Sequence, residues 1–272
     1  MPGTRRAMAS VNDQDDERLP ADDRDYVQSL VRGLQVIRAF SREHPVMTLS
    51  EVAQQTDMRR ATARRFLLTL VRANYAATDG KHFWLLPKVL DLGFAYMSSM
   101  SLWEIAEPIM RDVVAQTGES CSASILDGHE IVYITRVPTA RVMTVGLSVG
   151  SRLPAFCSSM GRVMIAGLPP EDRARFLSEV KMRRLTPFTV SSMVDLRSAI
   201  DTAGRQGWAI VDQEIEVGLR SLAVPVRNRM GETVAAINMH VQVGRMSVDQ
   251  MRETLLPVLL DASQRITAAL TD

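Results

Sequence analysis

The sequence predicts an α+β protein: a small helical N-terminal domain, a helical linker, and a larger domain built on an antiparallel sheet. Three observations carry that prediction. Apolar residues recur with a helical period from Val27 to Asn74, and an Asp-Gly pair then joins two short strand-like runs. Beyond Gly118, short strand-like runs and tight turns surround a group of helices. The length of 272 residues suits one large domain or two ordinary ones, and 46% hydrophobic with 23% charged residues is a globular composition. No apolar run reaches the roughly 18–20 residues of a membrane helix, and the N-terminus lacks the apolar core of a secretory signal. Cys121 and Cys157 fit no zinc spacing and cannot staple a chain this long. The expectation is a cytoplasmic protein with no membrane partner, metal or cofactor.

Residues 1–25 are polar and acidic without apolar periodicity, and are expected to be a disordered tail. Leu30, Leu34, Ile37 and Ala39–Phe40 then mark a buried helical stripe that ends before Pro45. Thr48-Leu49-Ser50-Glu51 has the spacing of a capping box, which predicts a short helix from Leu49 to about Gln55. After the turn Thr56-Asp57-Met58, a second helix is expected from about Arg59 to Asn74, with Ala63, Phe66, Leu67 and Leu70 on its buried face. Tyr75–Thr78 and Lys81–Leu85 flank Asp79-Gly80 as a hairpin. Three helices followed by a hairpin make a winged helix-turn-helix over residues 26–86.

Residues 87–118 read as linker helices, with Pro87 in a first turn, Pro108 as a kink or restart and Gly118 as a stop. Residues 119–272 form the larger domain. Its expected strands are Cys121–Leu126, Glu130–Val137, Val142–Val149, Trp208–Asp212, Leu219–Arg227 and Thr233–Val243. Its expected helices are Phe156–Gly167, Glu171–Val180, Val194–Arg205 and one from Ser247 to the end.

Charge is unevenly spread. Residues 26–86 hold nine Lys/Arg against four Asp/Glu, whereas residues 1–25 carry a net −3 and residues 87–272 a net −1. The second helix of the motif concentrates this charge. Ala61, Arg65 and Arg72 lie opposite its apolar face, flanked by Thr62, Arg64 and Thr69. Small residues let a helix approach the major groove, and Arg pairs with guanine edges or phosphates. Arg59 and Arg60 also oppose the helix macrodipole, a cost of about 0.3–1 kcal/mol each that a polyanion would offset. Lys81 and His82 follow the hairpin turn, where side chains can reach the backbone of double-stranded DNA. The alternative is a solvated arginine face in a chain with only three lysines, and the outward Leu68 fits neither reading.

Chemistry in the larger domain has few candidates. Cys157 near a helix start with His240 as base would be a nucleophile pair, but buried free Cys is more often a small core residue. Ser178–Lys181 spells S-x-x-K without its companion motifs, and H-E-x-x-H, P-loop and G-x-S-x-G are absent. Asp212, Glu214 and Glu216 alternate along a strand edge and read as partners of Arg220 or Arg227. No enzyme is expected. A binding site is better supported: the helix start would offer the N–H groups of Ser158, Ser159 and Met160 to a carboxylate. Asn238 and His240 share one strand face, and Ser221 sits among Leu219, Leu222 and Val224. Periodicity equally allows Asn238 and His240 to face solvent on an edge strand.

The stretches VQSLVRGLQVIRAF, TLSEVAQQTDMRRATARRFLLTL, RLPAFCSSMGRVMIA, GWAIVDQEIEVGLRSLAVPVRN and GETVAAINMHV resemble the IclR family of bacterial transcriptional regulators, from about Asp25 to the C-terminus. RRATARRFLLTL, LDLGFAYMSS and LPAFCSSMGR resemble in particular its regulators of protocatechuate and β-ketoadipate catabolism. The resemblance implies a GAF-like effector domain behind the winged helix-turn-helix, and a homodimer, often paired into a homotetramer. It implies a double-stranded DNA operator and a small organic acid effector, expected to be an aromatic acid or an oxo-dicarboxylate. It implies an effector pocket at Val145, Leu153, Ser159, Met160, Leu219, Ser221, Asn238 and His240. Several family members carry Cys at the position of Ser221 and Ser at those of Asn238 and His240, so a different or larger acid than small oxo-acids is expected. Two other readings remain: a DNA-binding regulator without an effector, and an enzyme fused to a DNA-binding domain.

Overall fold

The computed structural model describes residues 26–97, 102–139 and 147–270, with Tyr96 and Met97 described by backbone alone. The acidic segment 1–25, Val145 and most of the expected strand at 142–149 lie outside the described residues. The chain divides into two compact units at Gly93/Phe94.

The first unit runs α1 (Gln28–Arg38), β1 (Met47–Thr48), α2 (Leu49–Gln55), α3 (Arg60–Arg72), β2 (Ala76–Thr78) and β3 (His82–Leu85). The capping box that starts α2 is formed. Glu51 accepts from the Thr48 backbone N–H at 2.7 Å, and Thr48 Oγ1 accepts from the Glu51 N–H at 3.4 Å. The three strands make an antiparallel sheet in the order β1-β3-β2. Beneath them Val36, Met47, Val52, Ala63, Leu67 and Phe83 form one core. The expected stripe of α1 needs correction, because Leu30 and Leu34 are 63% and 44% exposed. Their period is helical, but within one chain only the Val36–Ala39 side of α1 meets α3 and the sheet. A single 3₁₀ turn (Pro87–Val89) leads into α4 (Leu90–Met97).

The second unit begins with α5 (Leu102–Thr117), which continues through Pro108 without a break. Leu102, Ala106, Met110 and Val113 are buried in the core of this unit, so α5 is part of the larger domain as well as a connection. There follow β4 (Cys121–Asp127), β5 (Glu130–Val137), β6 (Arg152–Pro154), α6 (Ser159–Ala166), α7 (Pro170–Glu179), α8 (Met193–Gln206), β7 (Ala209–Asp212), β8 (Leu219–Arg227) and β9 (Thr233–Gln242). The C-terminal helix starts as α9 (Val248–Gln250), widens into a π-turn over Met251–Leu255 and continues as α10 (Leu256–Ala269). The strands form a six-stranded antiparallel sheet in the order β6-β5-β4-β9-β8-β7.

Strand alternation sorts the interior into two layers. Ala235, Ile237, Met239 and Val241 of β9 pack with α5 and α10, while Ala236 of β9 and Ala223 of β8 pack with α6 and α8. Asn238 and His240 share the Ala236 face. β9 lies centrally between β4 and β8, so the edge-strand alternative for these two residues is excluded.

The expected helix from Phe156 starts later than its apolar pattern suggests. Ala155–Cys157 form a 3₁₀ turn, and Ser158, in an extended conformation, caps α6 by accepting from the Gly161 N–H at 2.9 Å. Gly161 is required there, because a Cβ would stand 2.0 Å from the Ala155 carbonyl oxygen. One turn on, Arg162 reaches Glu214 at 2.7 Å in an almost fully buried ion pair.

Candidate functional site

The first candidate surface is the outer face of α3. Ala61, Arg64, Arg65, Thr69 and Arg72 are exposed, together with Arg59 and Arg60 at the helix start, while Thr62 and Leu68 are half-buried. Among the described residues no acidic side chain pairs with Arg59, Arg60, Arg64 or Arg65. Thr69 spends its hydroxyl hydrogen inside the helix, donating to the Arg65 carbonyl at 2.8 Å. The helix therefore offers a row of uncompensated guanidinium groups over a small-residue surface, as major-groove binding demands.

The wing is tighter than two residues flanking Asp-Gly would suggest. The Asp79 N–H donates to the His82 carbonyl, which leaves Gly80, at φ 96°, and Lys81 at the tip. One oxygen of the Asp79 carboxylate accepts from the Lys81 and His82 N–H groups, at 2.8 and 2.7 Å. These bonds hold its pKa well below the usual carboxylate range. His82 is drawn to the same carboxylate, with Nδ1 3.0 Å from the second oxygen. Only Lys81 of the expected pair projects freely from the turn.

The second candidate site lies on the α6 face of the large sheet. Ser159 at the start of α6 is 2.6 Å from Ser221 on β8, and Asn238 Nδ2 donates to Ser221 Oγ at 2.9 Å. Ser221 pairs in register with His240, so these four expected residues are brought together. Met160 is buried beside them and accepts from the Ser124 hydroxyl at 3.1 Å through sulfur. Leu219 continues the Ser221 face, and Leu153 packs against the α6 layer from β6. Ser158 is not available to a ligand: its N–H and its hydroxyl both donate to the Ala155 carbonyl, and its oxygen caps Gly161.

Two atoms of this strip are left without partners. Asn238 Oδ1 and His240 Nε2 are buried and make no hydrogen bond among the described residues. An unmet buried polar group costs about 1–3 kcal/mol, so two of them on one strand face make this strip the candidate ligand site. Burial, with the nearby Arg136 charge, lowers the His240 pKa to about 4. The imidazole is therefore neutral at pH 7, with one nitrogen a donor and the other an acceptor.

The strip also contains residues that the sequence reading missed. Arg136 on β5 and Asn238 on β9 both stand opposite Ser122 of the intervening β4. Arg136 Nη1 donates to Ser122 Oγ at 3.2 Å, and Tyr133 lies buried on the same layer. The available signal was polar residues at every second position of β4, Ser122 and Ser124, alternating with Cys121, Ala123 and Ile125; Arg136, which follows Thr135, showed no such alternation.

The nucleophile candidate is disfavoured. Cys157 sits in the α6-side core, and burial pushes its thiol up to about 12, so it is protonated at neutral pH. The acidic run Asp212-Glu214-Glu216 is partly structural: Asp212 holds Arg220 at 2.9 Å and Glu214 holds Arg162. Arg227 instead donates to the Gly231 carbonyl. A shallow groove of about 300 Å³ between α8 and β7 contains none of the polar strip. Among the described residues no helix is long and apolar enough to cross a membrane.

A basic winged helix-turn-helix followed by a domain with a buried polar strip on its sheet fits the class of ligand-responsive DNA-binding regulators. Comparison with known proteins supplies the family. Residues 29–80 match the IclR helix-turn-helix domain, and residues 94–268 match the bacterial transcriptional regulator IclR C-terminal family. The chain belongs to the IclR family of transcriptional regulators. It is 40% identical over 243 residues to the Pca regulon regulatory protein of Pseudomonas putida, covering 89% of this chain and 84% of that one. A solved transcriptional regulator from Rhodococcus superposes with a TM-score of 0.82 at 47% identity, covering 90% and 98% of the two chains. The inducer-binding domain of a PobR double mutant from Acinetobacter, solved with 3-hydroxybenzoic acid, matches at 28% identity and a TM-score of 0.57, covering 60% of this chain and 96% of that one.

Proposed function

We propose that this regulator binds a palindromic operator as a homodimer and that a small hydroxylated aromatic acid, held in the polar strip, changes its operator affinity. The observation that carries the proposal is the buried, unpartnered pair Asn238 Oδ1 and His240 Nε2 beside Ser159 and Ser221. A phenolic hydroxyl both donates and accepts, so it satisfies the amide oxygen and the neutral imidazole together. Apolar walls at Leu153, Met160 and Leu219 suit an aromatic ring. The PobR domain solved with 3-hydroxybenzoic acid supports this ligand class. Non-enzymatic action follows from the same reading, as the family is one of regulators and the Cys157 thiol is protonated.

Calorimetry of 4-hydroxybenzoate, protocatechuate and the oxo-dicarboxylate β-ketoadipate tests the site. At least one is expected to bind the wild type, and His240→Ala is expected to weaken that ligand by ~1–3 kcal/mol, several-fold to a hundredfold. Equal binding to both proteins would remove His240 from the pocket.

The homodimer rests on exposed apolar surface. Val27, Leu30 and Leu34 line one side of α1, and Leu90, Leu92 and Phe94 are 73%, 46% and 64% exposed on α4. That is more exposed aliphatic and aromatic surface than a monomeric regulator this size requires, and isologous contact between two copies would bury it. Light scattering at micromolar concentration is expected to give a dimer or tetramer, and Leu30→Glu with Phe94→Glu to give a smaller species. A monomeric wild type contradicts this.

A further inference from the structure

The four expected polar groups of the strip, Ser159, Ser221, Asn238 and His240, are neutral, yet a carboxylate ligand brings a full charge into the sheet. The helix-start site expected for that charge is diminished: Ser158 N–H is bonded to Ala155 and Gly161 N–H to Ser158. Only the first-turn N–H groups between them remain, on a helix of eight residues. Among the described residues, the guanidinium of Arg136 is the one cation on the strip. It is half-buried, and Ser122 Oγ is its hydrogen-bond partner. Among the described residues no carboxylate pairs with it. Its surroundings are the Ser122 hydroxyl, the buried Tyr133 and the neutral His240.

We infer that Arg136 is the carboxylate anchor of the effector site, with the ligand's hydroxyl end directed to Asn238 and His240. This deepens the proposed function and rests on it. The register supports the assignment. Arg136, Ser122 and Asn238 occupy one rung across β5, β4 and β9, two strand spacings or about 10 Å between the outer backbones. A rigid ring with a carboxylate at one end and a hydroxyl at the other runs along such a rung. At the hydroxyl end two buried side chains, 4% and 3% exposed, present unpartnered atoms. At the other end stands a planar guanidinium with free donors, whose fork matches a carboxylate. The anchor also defines selectivity: a neutral molecule of the same shape leaves the half-buried cation without a counter-charge.

The test compares 4-hydroxybenzoate with 4-hydroxybenzamide, alike in shape but neutral, by calorimetry and competition on the full chain. The wild type is expected to prefer the acid at least tenfold. Arg136→Met is expected to lose that preference, and Arg136→Lys, which keeps the charge without the fork, to retain part of it. Thermal unfolding of both variants reports their integrity, and the acid-to-amide ratio is insensitive to a general loss of affinity. An Arg136→Met protein that still prefers the acid tenfold overturns the anchor and leaves the proposed function standing. A wild type that binds neither these probes nor protocatechuate overturns both.

Discussion

Replacing Arg59, Arg60, Arg64 and Arg65 together by alanine is expected to abolish specific operator binding while leaving the first unit folded. Each base-reading or phosphate-contacting Arg is worth about 1–3 kcal/mol, so the combined loss is on the order of a thousandfold or more. The expectation for folding has the opposite sign. These guanidinium groups have no acidic partner among the described residues, and α3 has no acidic residue in its first turn. Removing cations at positions 59 and 60 relieves the macrodipole by roughly 0.3–1 kcal/mol each, and alanine suits a helix interior. The fourfold variant should therefore melt no lower than the wild type and still fail to retard a palindromic duplex selected from a random pool. A folded variant that binds that duplex with wild-type affinity would place DNA recognition elsewhere.

The second large effect concerns the platform under the polar strip. Arg162 and Glu214 are 7% and 11% exposed, and the pair is tied in on every side. Arg162 Nε donates to the Phe156 carbonyl, and the Val190 N–H donates to Glu214 Oε2 at 2.9 Å. Thr189 donates to the Glu214 carbonyl at 2.6 Å. Glu214→Ala leaves a buried guanidinium without its counter-charge, so it is expected to cost about 3–5 kcal/mol in urea unfolding. Replacing both partners by apolar residues, Arg162→Met with Glu214→Leu, is expected to cost much less, because no charge is then left buried alone. A Glu214→Ala loss below about 1 kcal/mol would show that solvent reaches the pair.

Local features were legible in the sequence. The Thr48–Glu51 capping box, the apolar face of α3 and the spans of β8 and β9 each depend on contacts within a few residues or on a short period. What failed to show was set by distant neighbours. Leu30 and Leu34 have a helical period, but period does not say which apolar positions the rest of the chain covers, and these two it leaves exposed. The two-residue strand β1 is too short to alternate and exists because β3 pairs with it. Ser158 read as a ligand contact until the chain folded back at Ala155 and used its groups as a cap. Asn238, His240 and Ser221 were legible as a polar minority on apolar strands. Arg136 was not, because it joins them only when β4 inserts between β5 and β9, strands nearly a hundred residues apart. Val145 lies outside the described residues.

The central claim is that one chain couples an acid in its sheet to DNA on its arginine helix. A ligand shifts that equilibrium only by its differential affinity for the two states, so the effect must pass through the polar strip. The direct measurement is fluorescence anisotropy of the selected duplex, titrated with wild type and His240→Ala, with and without saturating 4-hydroxybenzoate or protocatechuate. The account predicts that one acid changes the wild-type operator affinity about five-fold or more, a coupling of roughly 1 kcal/mol or above, and leaves His240→Ala at its unliganded value. An acid that calorimetry shows bound to the wild type, yet that leaves operator affinity unchanged, would contradict it.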